Sequence, residues 1–374
     1  MTTFGLLSTY PPTQCGLATF TASLVAHLGP PAACGVVRLV DEADVGSPPE
    51  VVHELLRGST TSQCDAVAAL NGFDAVIVQH EYGIFGGPDG DEVLTVLDVI
   101  TAPTIVVLHT VLVDPTRHQR QVLEGVVHSA DAVVTMTRTA SRRLRDGYDV
   151  DMAKVSVIPH GAHLPPLTLE ASAPAARPTI LTWGLIGPGK GIEWGIEALA
   201  LLGDLEPAPR YLVVGETHPR VLEQHGETYR NGLQARARQL GVAHLVDFDA
   251  TYLDVASLHR IIRDADVVLL PYDNPDQVTS GVLIEAVAAA KPVISARFPH
   301  AVELLGGGVG LLVGHRDPVA ISRAVRRVLT EPGLKGDMTA GAARLAPQLG
   351  WSFVAGQYRA LAAHLISSRT GAMA

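Results

Sequence analysis

Basic residues are in short supply. The chain sets 28 lysines and arginines against 38 acidic side chains, a formal net charge of -10. An acidic surface of this kind argues against a nucleic-acid or anionic-membrane partner. The densest basic group, Arg138, Arg142, Arg143 and Arg145, reads as a solvated helix face. Cysteine is scarcer still. Cys15, Cys34 and Cys64 cannot pair fully and have no metal-ligand spacing, which excludes a disulfide framework and fits reduced thiols in the cytoplasm. The histidines include no i, i+4 pair, so no metal site is expected. Long apolar runs are missing too: none reaches the roughly 18 residues of a spanning helix. The opening MTTFGLLSTYPP has neither the basic flank nor the apolar stretch of a signal peptide. These absences together predict a soluble, cytoplasmic protein whose membrane association, if any, is peripheral. They leave the oligomeric state open.

Apolar material is plentiful. Hydrophobic residues make up 47% and charged residues 18% of 374, which excludes general disorder and allows two cores, given domains of roughly 100–200 residues. Short Val- and Ile-rich runs at 4–7, 75–78, 104–108, 132–135 and 155–158 alternate with helix-length segments such as 17–28 and 119–128. After a break the pattern resumes at 179–183, 211–214, 245–248, 267–270, 293–294 and 311–313, with helical segments at 193–202, 227–240 and 318–329. Runs this apolar fit parallel strands covered on both faces. Strand–helix alternation predicts α/β architecture: two Rossmann-like, doubly wound parallel-sheet domains facing across a cleft. The break, rich in Pro, Ala and Ser, sets the expected boundaries at 1–165 for the first domain, 166–178 for a linker and 179–350 for the second. A last helix from 351 is expected to pack back on the first domain.

Two stretches could carry chemistry. WGLIGPGKG, 183–191, joins a strand to a helix, and its glycines would let backbone approach a ligand beside Lys190. From Gly184 to Lys190 it is one residue short of an NTPase phosphate loop, because Gly191 stands where a Ser or Thr hydroxyl would bind magnesium. The bland alternative is a Gly-rich turn with a solvated lysine. The second stretch, 270–292, reads as strand, polar loop and helix. Thr279 and Ser280 are helix-capping types, and the free N–H groups and dipole at such a start suit a phosphate. Glu285 lies in a helix apolar nearly all round, so its carboxylate should be buried and in need of donors. Ribose hydroxyls would supply them, with a structural ion pair as the alternative.

Taken in order, WGLIGPGKGIEWGIEAL, YLVVGETHP, DADVVLLPY…SGVLIEAVAAAKPVI and AVELL…GVGLLV resemble the C-terminal half of the retaining glycosyltransferases of the glycogen-synthase and sucrose-synthase superfamily. This is the large family-four group with the two-Rossmann GT-B fold. STYPPTQCGLATFTASLVAHL, IVVLHT and VIPHGAH are similar to the N-terminal half's first loop and helix, its strand ending in a histidine, and its hinge entry. The resemblance implies transfer of a hexose from a nucleotide diphosphate sugar to a hydroxyl of a saccharide or small molecule. The anomeric configuration would be retained, with neither metal nor cofactor beyond the sugar nucleotide. UDP-glucose and GDP-mannose are the leading donors. Gly16 would approach the phosphates or the transferred sugar, and His109 would face that sugar. Lys190 would neutralise the diphosphate leaving group in the loop built on Gly184 and Gly189. Ser280, Gly281 and Val282 would offer N–H groups to phosphate behind Thr279, and Glu285 would hold the ribose. Backbone around Tyr252 would meet the base.

The chain departs from its family's pattern twice. Leu185 stands where an arginine often helps the lysine grip the diphosphate. Gln277, preceded by Asp276, stands where the family has a glutamate touching the donor sugar; an amide can hydrogen-bond a sugar but cannot stabilise positive charge on it. His80, Glu81 and Tyr82 are expected acceptor contacts. His160, His163, His218 and His300 are further candidates at the hinge and near the diphosphate. Two other readings remain: a nucleotide-sugar epimerase on the same fold, and a non-catalytic nucleotide-sugar-binding protein.

Overall fold

A computed structural model of the chain describes residues 2–30, 33–42, 46–164 and 176–372. The expected linker at 166–178 falls outside the described residues except for its last three. Two compact units emerge, Met1–Gly161 with Trp351–Ala374, and Ala162–Gly350. The first division therefore falls at 161/162 and not at 165. Residues 162–164 belong with the second unit because the Ala162 N–H donates to Leu349 O at 2.7 Å.

The first unit is built on a parallel sheet of β1 (Phe4–Ser8), β2 (Cys34–Val40), β3 (Val51–Leu56), β4 (Ala75–His80), β5 (Thr104–Leu108), β6 (Ala132–Thr135) and β7 (Val155–Val157). Their order is β3-β2-β1-β4-β5-β6-β7. Five of these seven strands were expected, and β2 and β3 are additions. Cys34–Val40 carries Gly35 and Arg38, and Val51–Leu56 carries His53 and Glu54, so neither reads as a plain apolar run. The polar members answer one another across the pair, Arg38 Nη1 lying 3.3 Å from Glu54 Oε1. The helix Trp351–Ala372 is part of this unit: Trp351, Val354, Ala355 and Tyr358 join Phe20, Leu24, Ile77 and Ile105 in one core.

The second unit carries β8 (Thr179–Trp183), β9 (Arg210–Val214), β10 (Val246–Asp249), β11 (Val267–Leu270), β12 (Val293–Ala296) and β13 (Gly310–Val313). They form a parallel sheet in the order β10-β9-β8-β11-β12-β13. Successive strand residues feed opposite faces, as a pleated strand requires. Ile180 and Leu269 enter one core with Ile192 and Ile196, while Leu181, Val268 and Leu270 enter the other with Leu283, Ile284 and Val287. The central strands β8, β11 and β12 are buried throughout, as strands covered on both faces are. The strand order reverses between β8 and β11, and the crevice beyond the C-terminal ends of strands at such a point is where open α/β sheets bind ligands.

Candidate functional site

In the second unit, both stretches singled out in the sequence leave the sheet at this reversal. The 184–191 loop follows β8 and the 271–280 loop follows β11. They are tied together: Asp273 N–H donates to Gly189 O at 2.9 Å, and Trp194 Nε1 donates to Asp273 Oδ1 at 2.9 Å. The approach is close enough to dictate a residue. Gly191 has φ +65, and a Cβ there would lie 1.9 Å from Pro271 O. Gly191→Ala should therefore lower the unfolding free energy of this unit by about 2–3 kcal/mol, from left-handed strain and displaced backbone. A thermal melt of the variant that coincides with that of the parent would contradict this.

Lys190 lies on this junction, with Nζ 4.7 Å from the centroid of the Tyr272 ring. Tyr272 is buried and stacks on Phe298 at 5.4 Å, so the ammonium rests on a rigid aromatic base. The neighbouring helix, Gly281–Ala288, starts as its sequence suggests. Ser280 is the N-cap, its Oγ accepting from Leu283 N–H at 3.2 Å, while Ser280 N–H donates to His300 Nδ1 at 2.9 Å. Helix geometry leaves the N–H groups of Gly281 and Val282 without an intrahelical acceptor. A Cβ at Gly184 would sit 3.5 Å from Val282, bringing the first loop against this helix start. A Cβ at Gly189 would meet nothing within 4 Å. Thr279 Oγ1 is buried without a protein partner. A lysine, a helix N-terminus and open space beside a glycine are the ingredients that anion binding uses.

One turn along that helix, Glu285 is mostly buried, with its side chain 14% exposed. Its Oε1 accepts from His163 N–H at 3.2 Å and pairs with His163 Nδ1 at 3.1 Å. The carboxylate thus has a partner within the protein, and His163 orients it. His163, weighed only as a hinge residue in the sequence, is the partner that the pattern did not give. Gln277 directs its amide Nε2–H to Thr279 O at 2.9 Å. Asp276 N–H is held by Asn274 Oδ1 at 2.9 Å, and Tyr252 is exposed in the segment after β10.

The first unit gathers its own candidates where its strand order reverses, between β1 and β4. Gly16 opens the helix Gly16–Leu28 behind the N-cap Cys15, whose Sγ lies 3.2 Å from Thr9 Oγ1. A Cβ at Gly16 would meet nothing within 4 Å, so chain packing does not require glycine there. His109 follows β5, with Nε2 2.6 Å from Gln79 Oε1 and its ring edge-on to Phe20 at 5.0 Å. Burial, with His160 and His80 nearby, pushes its pKa down to about 3. His80 requires a correction. It is fully buried and neither ring nitrogen has a protein partner, so it cannot touch an acceptor where it stands. Burial pushes it down to about 4. Glu81 accepts from Gly83 N–H at 2.7 Å, and the Tyr82 hydroxyl donates to Gln119 O at 3.4 Å.

Comparison with known proteins adds a family to this geometry. Residues 177–331 match the family model described as glycosyl transferases, group 1. The chain is 30% identical over 240 residues to a D-inositol 3-phosphate glycosyltransferase of Acidothermus cellulolyticus, covering 60% of this chain and 51% of that one. It is 32% identical over 244 residues to the protein of that name from Actinosynnema mirum, covering 61% and 56%. The match thus spans about half the length of these curated relatives. Among solved structures, Anabaena HepE in complex with UDP superposes with a TM-score of 0.74 at 16% identity, over 97% of this chain and 100% of HepE. Sucrose-phosphate synthase from Thermosynechococcus elongatus gives 0.74 at 17%, over 98% and 100%. Identities this low speak to the fold alone, and the two parallel-sheet domains are those of the GT-B class.

Proposed function

We propose, on the match of residues 177–331 to the group 1 glycosyl transferases, that this chain moves a hexose from a nucleotide diphosphate sugar to a hydroxyl of a saccharide or small-molecule acceptor, with retention and without a metal. The observation that carries this reading is the meeting of Lys190, the N-terminus of Gly281–Ala288 and Glu285 at the strand-order reversal of the matched unit. Lys190 and the Gly281 and Val282 N–H groups hold the diphosphate. Their charge is fixed before reaction and counts most as the leaving group gains charge. Glu285, oriented by His163, accepts from the ribose hydroxyls. Asp276 and Gln277 face the donor sugar. UDP-glucose is the leading donor, since HepE is the neighbour solved with UDP and with UDP-glucose, with GDP-mannose second.

Thermal-shift measurements with UDP, GDP, ADP and their sugars test the donor, because a ligand binding only the folded state at about 100 times its Kd adds about 2.7 kcal/mol. One base is expected to stand out. The preferred sugar nucleotide is then incubated with an acceptor panel that includes polyol phosphates, with and without EDTA, and the product anomer is read by NMR. Absence of any nucleotide shift together with no donor consumption would sink the proposal. Gln277 gives a second reading some footing, because its amide N–H is already committed to Thr279 O. A non-catalytic binder would show the shift without transfer or hydrolysis, whereas an epimerase would form product from donor alone.

A further inference from the structure

Leu185 leaves the loop after β8 with one cation where its family often has two, and the structure brings another donor to the same turn. The segment after β9 is stitched to that loop: Ile186 N–H donates to Glu216 O at 2.8 Å and His218 N–H to Ile186 O at 2.8 Å. A Cβ at Gly187 would lie 3.8 Å from His218 Cβ, and the Gly187 carbonyl accepts the Lys190 N–H at 3.2 Å. His218 and Lys190 therefore flank one short turn. His218 is also the N-cap of the helix Pro219–His225, its Nδ1 accepting from Arg220 N–H at 3.3 Å. That contact uses the Nδ1 lone pair, so the proton of the neutral ring sits on Nε2.

We propose that His218, through Nε2–H, is the second donor to the diphosphate of the sugar nucleotide, completing with Lys190 the grip that Leu185 does not provide. The proposal rests on the donor-site reading above. Arg220, next in the same segment, adds positive potential. Burial first, then the charges of Arg220 and Lys190, hold the ring below its ordinary pKa, with Glu223 opposing them. These surroundings disfavour the charged ring when the site is empty, and a bound diphosphate would favour it. Affinity should then rise as the pH falls.

The test separates the capping role from the donor role. His218→Asn keeps an acceptor for Arg220 N–H and an N–H donor. His218→Asp keeps the cap but replaces the donor with negative charge, and His218→Ser caps but is too short to reach. UDP, GDP and ADP are titrated calorimetrically against their nucleosides at pH 8 and pH 6. The Asp variant is expected to weaken the preferred diphosphate at least about 30-fold, and the Ser variant about 10-fold, with nucleoside binding unchanged. The Asn variant should stay within about threefold at pH 8 but lose the gain that the parent shows at pH 6. If the Asp and Ser variants bind the diphosphate as the parent does while Lys190→Ala loses it, the role of His218 is refuted and the donor site stands. If Lys190→Ala also binds normally, the donor-site reading itself falls.

Discussion

Lys190→Met should lower transfer about a thousand-fold while the second unit melts close to the parent's temperature. Methionine keeps an unbranched chain over Tyr272, so little packing is lost, and the cation–π contact at 4.7 Å is worth only about 0.5–1 kcal/mol at a partly exposed site. On the proposed reading of Lys190 as a diphosphate ligand, the catalytic cost is far larger. Charge grows on the diphosphate as the glycosidic bond breaks, and removing one fixed donor to such charge typically costs about 100- to 1000-fold. Because the interaction strengthens in the transition state, kcat should fall by more than KM rises. On the same reading, Glu285→Gln should divide the effect the other way: the amide holds the ribose less well and accepts less strongly from His163, so KM rises by about 10-fold with kcat nearly kept. Equal kcat values for Lys190→Met and the parent would remove the lysine from the mechanism.

The second unit was legible in the sequence because every device in it is local. The central strands β8, β11 and β12 are buried throughout, the helix start is marked by Ser280, and the loops at the strand-order reversal are spelled out by Gly184, Gly189 and Gly191. Its cross-connections were not legible. Nothing near Lys190 in the chain announces Tyr272, nothing near Glu285 announces His163, and the Trp194–Asp273 bond joins a helix start to a loop far along the chain. The first unit hid β2 and β3 because an edge pair stabilised by Arg38 and Glu54 breaks the apolar run that a buried parallel strand otherwise shows. His80 misled for a related reason. A histidine closing a strand at a strand-order reversal has the address of a ligand contact, and only the packing of Tyr82 and its neighbours reveals that the ring is sealed in.

That sealed ring gives the first unit a marked acid sensitivity. His80 is fully buried and His109 partly buried, and burial lowers them from 6.5 to about 4 and about 3. In the unfolded chain they titrate near 6.5, so between there and the folded values the unfolded state binds more protons. Their neutral burial is therefore without penalty above pH 6.5, and stability is lost as the pH falls toward the folded values. Each ring costs about 1.4 kcal/mol per pH unit in that window. From pH 7.5 to 5 the pair should remove about 4 kcal/mol and lower the melting temperature of the first unit by roughly 10 °C. His80→Leu provides the control. Neither ring nitrogen of His80 has a protein partner, so leucine orphans nothing, and stability at pH 7.5 should be equal or higher. The acid slope should fall by about half. His109→Leu would be a poorer control, because it strips Gln79 Oε1 of its donor at 2.6 Å and leaves a buried amide unsatisfied at every pH. Calorimetric melts of the parent and His80→Leu from pH 7.5 to 5 decide the matter: parallel pH profiles would mean that the buried ring is not what acid attacks.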